Sequence, residues 1–322
     1  MLLVLAPLPR LDRVQFVERS GAGVDLIDRV ATDEAFLEHL VGAAHFEVGA
    51  AGLVAMRAAQ SLGIGARALA LRGGRTGDLV AEAAADERID IEWVGMAAPT
   101  PMRSVLCYDV EGAGMRRVVF SEVAPRLSDS ELGAYVERAE AALADRASEL
   151  VDAVVFIEAE ASQGALSMAL GEIARRARSR GRTCILVTRG ESPGLAEDDF
   201  DIVLEDRSSA TALRPRRVGD RTTMLIRDEA KRYFLSLPAD PVTARVELEL
   251  ELEPPKDRGG EAPLEAAAVA WQLCVREAWS PRSAACFAVA AAVAQTQKRI
   301  GGRLARSDVD GFYRQVRARE QD

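Results

Sequence analysis

Apolar and polar positions along the chain follow two alternating rhythms. Short, nearly unbroken apolar runs at Leu2–Ala6, Arg67–Leu71, Asp152–Ile157, Cys184–Thr188 and Ile202–Leu204 predict strands covered on both faces. Between them, Phe46–Gly63, Leu79–Ala85, Ser128–Ala147 and Gly164–Arg180 carry apolar residues at helical spacing. Gly49 and Gly52 are expected to open the first of these helices, and Gly63 to end it. The alternation is interrupted once. Ile89–Val94, Ser104–Asp109 and Arg116–Phe120, the last two separated by the Gly112–Gly114 turn, predict three strands in a row, a small sheet laid beside the main one. The segment from Asp25 to His45 shows no clear period.

The second half predicts a short helix near Ser208–Leu213 and a hairpin of Thr222–Ile226 with Arg232–Leu237 around Asp228-Glu229. Ala244–Glu253 alternates apolar and acidic residues, as a strand with one wet face does. An alanine-rich helix follows Pro263, a second runs over Pro281–Ile300, and Ser307–Glu320 has the pattern of an amphipathic helix.

Composition narrows the picture. With 322 residues and 48% hydrophobic content the chain can bury a large core. A net charge of −9, with arginines scattered among acids, argues against nucleic acid as a partner. The opening MLLVLAPLPR is too short to span a membrane and lacks a basic start, so it reads as a buried strand in a cytoplasmic protein with no membrane partner. Cys107, Cys184, Cys274 and Cys286 show no CxxC spacing and are expected to be reduced. Two histidines, His39 and His45, supply neither a zinc site nor a histidine triad.

The candidate chemistry gathers at Asp257–Ser280. Gly259 and Gly260 permit a tight turn just before Pro263, which suits a first helical turn because its missing N–H has no partner there. Converging amides and the helix macrodipole favour an anion at such a place. Glu261 and Glu265 bracket the proline, where a base for phosphoryl transfer is wanted, although glutamate in a first turn is also ordinary capping chemistry. Asp12, in Leu11-Asp12-Arg13 after the first strand, stands where ligands of α/β sheets bind, and also where a turn residue is common.

Over nearly its whole length the chain resembles the ribokinase-like (PfkB) carbohydrate kinases, and most closely the kinase domain of heptose-7-phosphate kinases. The resemblance rests on Leu11-Asp12-Arg13, Val48–Ala55 with Ser61-Leu62-Gly63, Glu160–Leu166, and Ser208–Leu213, in that order and spacing. It implies one α/β domain over residues 1–322: a doubly wound, mostly parallel sheet flanked by helices, with a small β-lid from about residues 10–32 and 89–120. It further implies ATP with Mg²⁺, phosphorylation of a sugar or sugar-phosphate hydroxyl, and a homodimer formed through the lid. The residues it assigns are Asp12, Gly49, Gly52 and Glu160 to the sugar, Gly259, Gly260, Arg227 and Lys231 to the nucleotide, and Glu265 or Glu261 to the base, with no protein metal ligand.

The chain also departs from the family pattern. The GAGD motif is absent. One register lays Ala262-Pro263-Leu264-Glu265 over it, and another lays Gly259-Gly260-Glu261 there. Gly52 replaces a sugar-contacting Asn, Gln163 a lysine, and Glu205-Asp206-Arg207 a KPN string, while Ile226–Lys231 lacks both glycines of the nucleotide loop. Val289 replaces an adenine-side Asn. Two readings follow: a divergent, active carbohydrate kinase, or a catalytically silent relative retained as a binding or assembly protein.

Overall fold

A computed structural model describes residues 1–17, 44–49, 51–110, 114–144, 151–157, 164–188, 195–206, 222–229, 232–237, 246–250, 263–298 and 303–320. Glu160, Lys231, Gly259, Gly260, Glu261, the 208–213 helix and Gln163 lie outside them.

The apolar runs form the centre of the main sheet. Strand β1 (Leu2–Leu5) pairs in parallel with β4 (Ala66–Arg72) on one side and β8 (Ala153–Ile157) on the other. Parallel pairing continues outward to β5 (Ile91–Gly95) and, on the other flank, through β9 (Thr183–Thr188) and β10 (Ile202–Asp206) to β11 (Thr223–Glu229). Three antiparallel strands then close that flank: β12 (Arg232–Ser236), β13 (Val246–Leu250) and β14 (Val316–Glu320).

Alternation along each central strand divides the core in two. Leu2, Val4, Val155, Ile185 and Leu204 point to one layer, with helices α1 (Ala51–Ser61), α2 (Gly74–Asp86), α5 (Pro263–Arg276), α6 (Pro281–Thr296) and α7 (Arg306–Tyr313). Leu3, Leu5, Phe156, Leu186 and Val203 point to the other, with α3 (Asp129–Ala144) and α4 (Gly164–Ser179). Continuous apolar strands are thus covered on both faces, as the doubly wound reading expected. Among the described residues no helix is long and apolar enough to cross a membrane.

A second, four-stranded sheet has the order β3 (Ala44–Gly49), β2 (Arg10–Val17), β6 (Met102–Val110), β7 (Gly114–Ser121). Prolines mark both exits to it: Pro7 and Pro9 between β1 and β2, Pro99 and Pro101 between β5 and β6. Without an N–H, proline cannot extend the ladder being left, so the chain is released toward the smaller sheet.

Four expectations need correction. β5, expected in the small sheet, pairs with β4 and belongs to the main one, so the second excursion begins only at Met102. Residues 46–49, expected to begin a helix, are the end of β3; Gly49 closes a strand paired with Arg10 rather than opening α1. Helix α2 starts at Gly74, five residues before the apolar period becomes visible, because its first turn is polar. The terminal helix stops at Tyr313, and Val316–Glu320 is a strand whose alternation pairs with β13.

Candidate functional site at the carboxyl edge of the main sheet

Ligands of open α/β sheets bind outside the carboxyl ends of the strands. Ala6 directly follows the end of β1, and Ile157 is the last residue of β8. The first turn of α1 rests on both. A Cβ added to Gly52 would lie 2.1 Å from Ala6 Cβ and 4.0 Å from Ile157 Cδ1. Gly52 therefore lets α1 approach the sheet edge closely, and no side chain, sugar-contacting or otherwise, fits at this position.

Asp12 is not at the end of the first strand, as the sequence suggested, but inside β2 of the smaller sheet. Parallel pairing of β2 with β6 sets it opposite Arg103. Its carboxylate is 1% exposed and accepts from Arg103 Nε at 3.0 Å, from Arg103 Nη2, and from Arg10 Nε at 3.2 Å. This is a buried carboxylate held by a two-point arginine fork with a second guanidinium beside it. Neither arginine was anticipated. Arg103 is 91 residues away, and only the β2–β6 register brings it to Asp12.

Glu265 is in the first turn of α5 and is 2% exposed. Two chain reversals separate β13 from β11, so β13 runs with the parallel strands and delivers the chain to their carboxyl ends before α5 begins. α5 packs on α1 and on β8, β9 and β10, the strands whose ends form this edge. Glu265 thus joins a helix N-terminus, where the macrodipole favours negative charge, to a desolvated position.

The nucleotide-side candidate Arg227, on β11, lies opposite Asp206 of β10 and Tyr233 of β12. Its Nη1 donates to Asp206 Oδ2 at 3.0 Å, while its Nε is buried with no partner. Glu205, the neighbour of Asp206, is 1% exposed. Gly49 ends β3 on the strand paired with β2, so it accompanies Asp12 rather than α1. Among the described residues no group of three or more His, Cys, Asp or Glu side chains converges to hold a metal ion.

The buried thiols are chemically quiet. Burial pushes Cys184 and Cys274 each up to about 12, so both remain protonated.

No family model and no curated protein matches the sequence. Solved structures do match in fold. A possible 1-phosphofructokinase from Thermotoga maritima superposes with a TM-score of 0.77 at 14% identity, covering 100% of this chain and 99% of that one. Phosphofructokinase-2 from Escherichia coli in complex with fructose-6-phosphate gives 0.67 at 20% identity, covering 97% and 98%. A carbohydrate kinase from Agrobacterium tumefaciens gives 0.62 at 20% identity, covering 99% of each. The fold is ribokinase-like α/β, as in these sugar kinases, a mostly parallel sheet flanked by helices.

Proposed function

We propose that this protein is an ATP-dependent kinase acting on a hydroxyl of a sugar phosphate, in the cytoplasm. The observation that carries the reading is Glu265, an almost wholly buried carboxylate in the first turn of the helix that enters the carboxyl edge of the sheet. A carboxylate in that position is suited to take the proton of an acceptor hydroxyl, and a helix N-terminus such as this one is suited to an anion.

The substrate class follows from the lid side. A neutral sugar asks for a carboxylate free to accept from its hydroxyls. Here Asp12 is engaged through both oxygens by Arg103 and Arg10, a pairing that suits a phosphorylated sugar, whose phosphate is drawn to the guanidinium groups. Heptose phosphate is one member of that class, and the fructose-6-phosphate bound to the Escherichia coli phosphofructokinase-2 is another.

Bound ATP with Mg²⁺ would supply the transferable phosphoryl group and neutralise its charge. Arg227 fits the nucleotide, because its buried Nε lacks an acceptor. Glu265, or Glu261 in the alternative register, takes the hydroxyl proton as the new O–P bond forms and the bond to the leaving diphosphate breaks. The smaller sheet serves as a lid that excludes water. Its outer strand β7 exposes Val119 and Phe120, and Val123 two residues beyond its end is 89% exposed. Such a patch on an edge strand favours pairing of two lids in a homodimer.

Addition of millimolar MgATP is expected to raise the melting temperature, since a ligand at 100 times its Kd contributes about 2.7 kcal/mol. A panel of sugar phosphates is expected to elicit ADP. Asp12 and Arg227 are each tied to an internal partner, and this favours the second reading, a silent relative, should neither effect be seen.

A further inference from the structure

Tyr233 is fully buried, and its hydroxyl has no hydrogen-bond partner. Burial pushes it up to about 12, so at neutral pH the group is a neutral donor. Directly across the β11–β12 pair lies Arg227, whose Nε is the second buried donor without an acceptor. Asp206, opposite Arg227 on β10, accepts from Nη1 of that guanidinium and leaves its Nε unmatched. One row across three strands therefore holds two orphaned donors. It sits at the carboxyl ends of β10 and β11, on the face that packs against α5 and α6, since Leu204 and Leu225 precede Asp206 and Arg227 by one strand period.

A buried donor without an acceptor costs roughly 1–3 kcal/mol, and native structures seldom carry two in one row unless something else completes them. A phenylalanine at 233 would give the same ring without the cost. Asp206 already neutralises Arg227, so the missing group need not be strongly anionic.

We propose that Tyr233 and Arg227 form a two-donor recognition site for an acceptor atom of the nucleotide, a ribose oxygen or a base carbonyl or ring nitrogen. Tyr233 is thereby a specificity residue of the nucleotide side. The inference rests on the kinase reading above and deepens it. In the unliganded protein the two donors are held ready at the expense of stability, and nucleotide entry relieves that expense.

The test is Tyr233→Phe, measured without ligand and with MgATP. The unliganded variant is expected to melt at or slightly above the wild-type temperature, because no hydrogen bond is lost. Its affinity for MgATP by calorimetry is expected to fall about 5- to 30-fold, the equivalent of one buried hydrogen bond. A lower melting temperature for the unliganded variant overturns the inference, since the hydroxyl then has a structural partner. Equal MgATP affinity in variant and wild type overturns it while leaving the kinase reading intact. A wild type that does not bind MgATP overturns both. 2′-Deoxy-ATP narrows the acceptor: a wild-type loss matching that of Tyr233→Phe assigns the ribose 2′-oxygen, and full wild-type binding assigns another ribose oxygen or the base.

Discussion

Asp12 shows what one residue can and cannot reveal in a sequence. That a carboxylate follows the first apolar run was legible, but its place within a strand of the smaller sheet was not. Its partners were not, because Arg103 reaches it only through a parallel pairing of strands separated by most of the first half of the chain. Gly52 is a similar case. As a letter it reads as a lost sugar contact, whereas its surroundings show a helix seated so close to Ala6 that a methyl group cannot enter. For Asp12 the consequence is measurable. Asp12→Asn leaves two guanidinium groups beside a neutral amide, and Arg103 is only 5% exposed. Breaking a buried pair in this way costs about 3–5 kcal/mol, so denaturant unfolding should show a loss of that order. A loss below about 1 kcal/mol would mean that Asp12 is held for its ligand and not by its arginines.

At the scale of elements, the sequence was most informative where local chemistry and period agreed. The string Ser128-Asp129-Ser130-Glu131 reads as a capping box, and it is one: Glu131 N donates to Ser128 Oγ at 3.3 Å, and Ser128 N donates to Glu131 Oε2 at 2.7 Å. What could not be read is that Glu131 Oε1 also accepts from Ala97 N at 2.6 Å, tying α3 to the connector that leads into the smaller sheet. These hydrogen bonds, those to Ser128 first, hold the Glu131 carboxyl below its ordinary 4.5. A depressed folded-state value means the stabilisation is fully present above about 4.5 and is lost as pH falls through the folded value. Ser128→Ala should therefore cost about 1 kcal/mol at pH 7 by thermal or denaturant unfolding, and the gap to wild type should narrow below pH 4. A gap that does not change with pH would remove Glu131 from the box. The strand at 316–320 was misread for the opposite reason: five residues of alternating pattern following an amphipathic helix extend the helical period by eye, and only the β13 edge decides the matter.

For the whole molecule, the order of strands and helices was the strongest signal, because continuous apolar strands alternating with one-faced helices admit few arrangements. Residues 226–231 and the Gly259-Gly260 pair ahead of α5 were readable only as departures from a family pattern. The exposed apolar patch on β7 leads to an assembly prediction: Phe120→Asp should convert a dimer to a monomer in light scattering coupled to size exclusion, and an unchanged mass would place any dimer contact elsewhere. The account as a whole turns on phosphoryl transfer at the carboxyl edge with Glu265 as the proton acceptor. Its most direct test compares wild type with Glu265→Gln, following MgATP binding by calorimetry and ADP formation with a panel of sugar phosphates. The expected result is turnover by the wild type, with the variant binding MgATP within about 2-fold yet losing at least about 100-fold in rate. Equal rates in the two proteins, or a wild type that forms no ADP with any sugar phosphate, would contradict it.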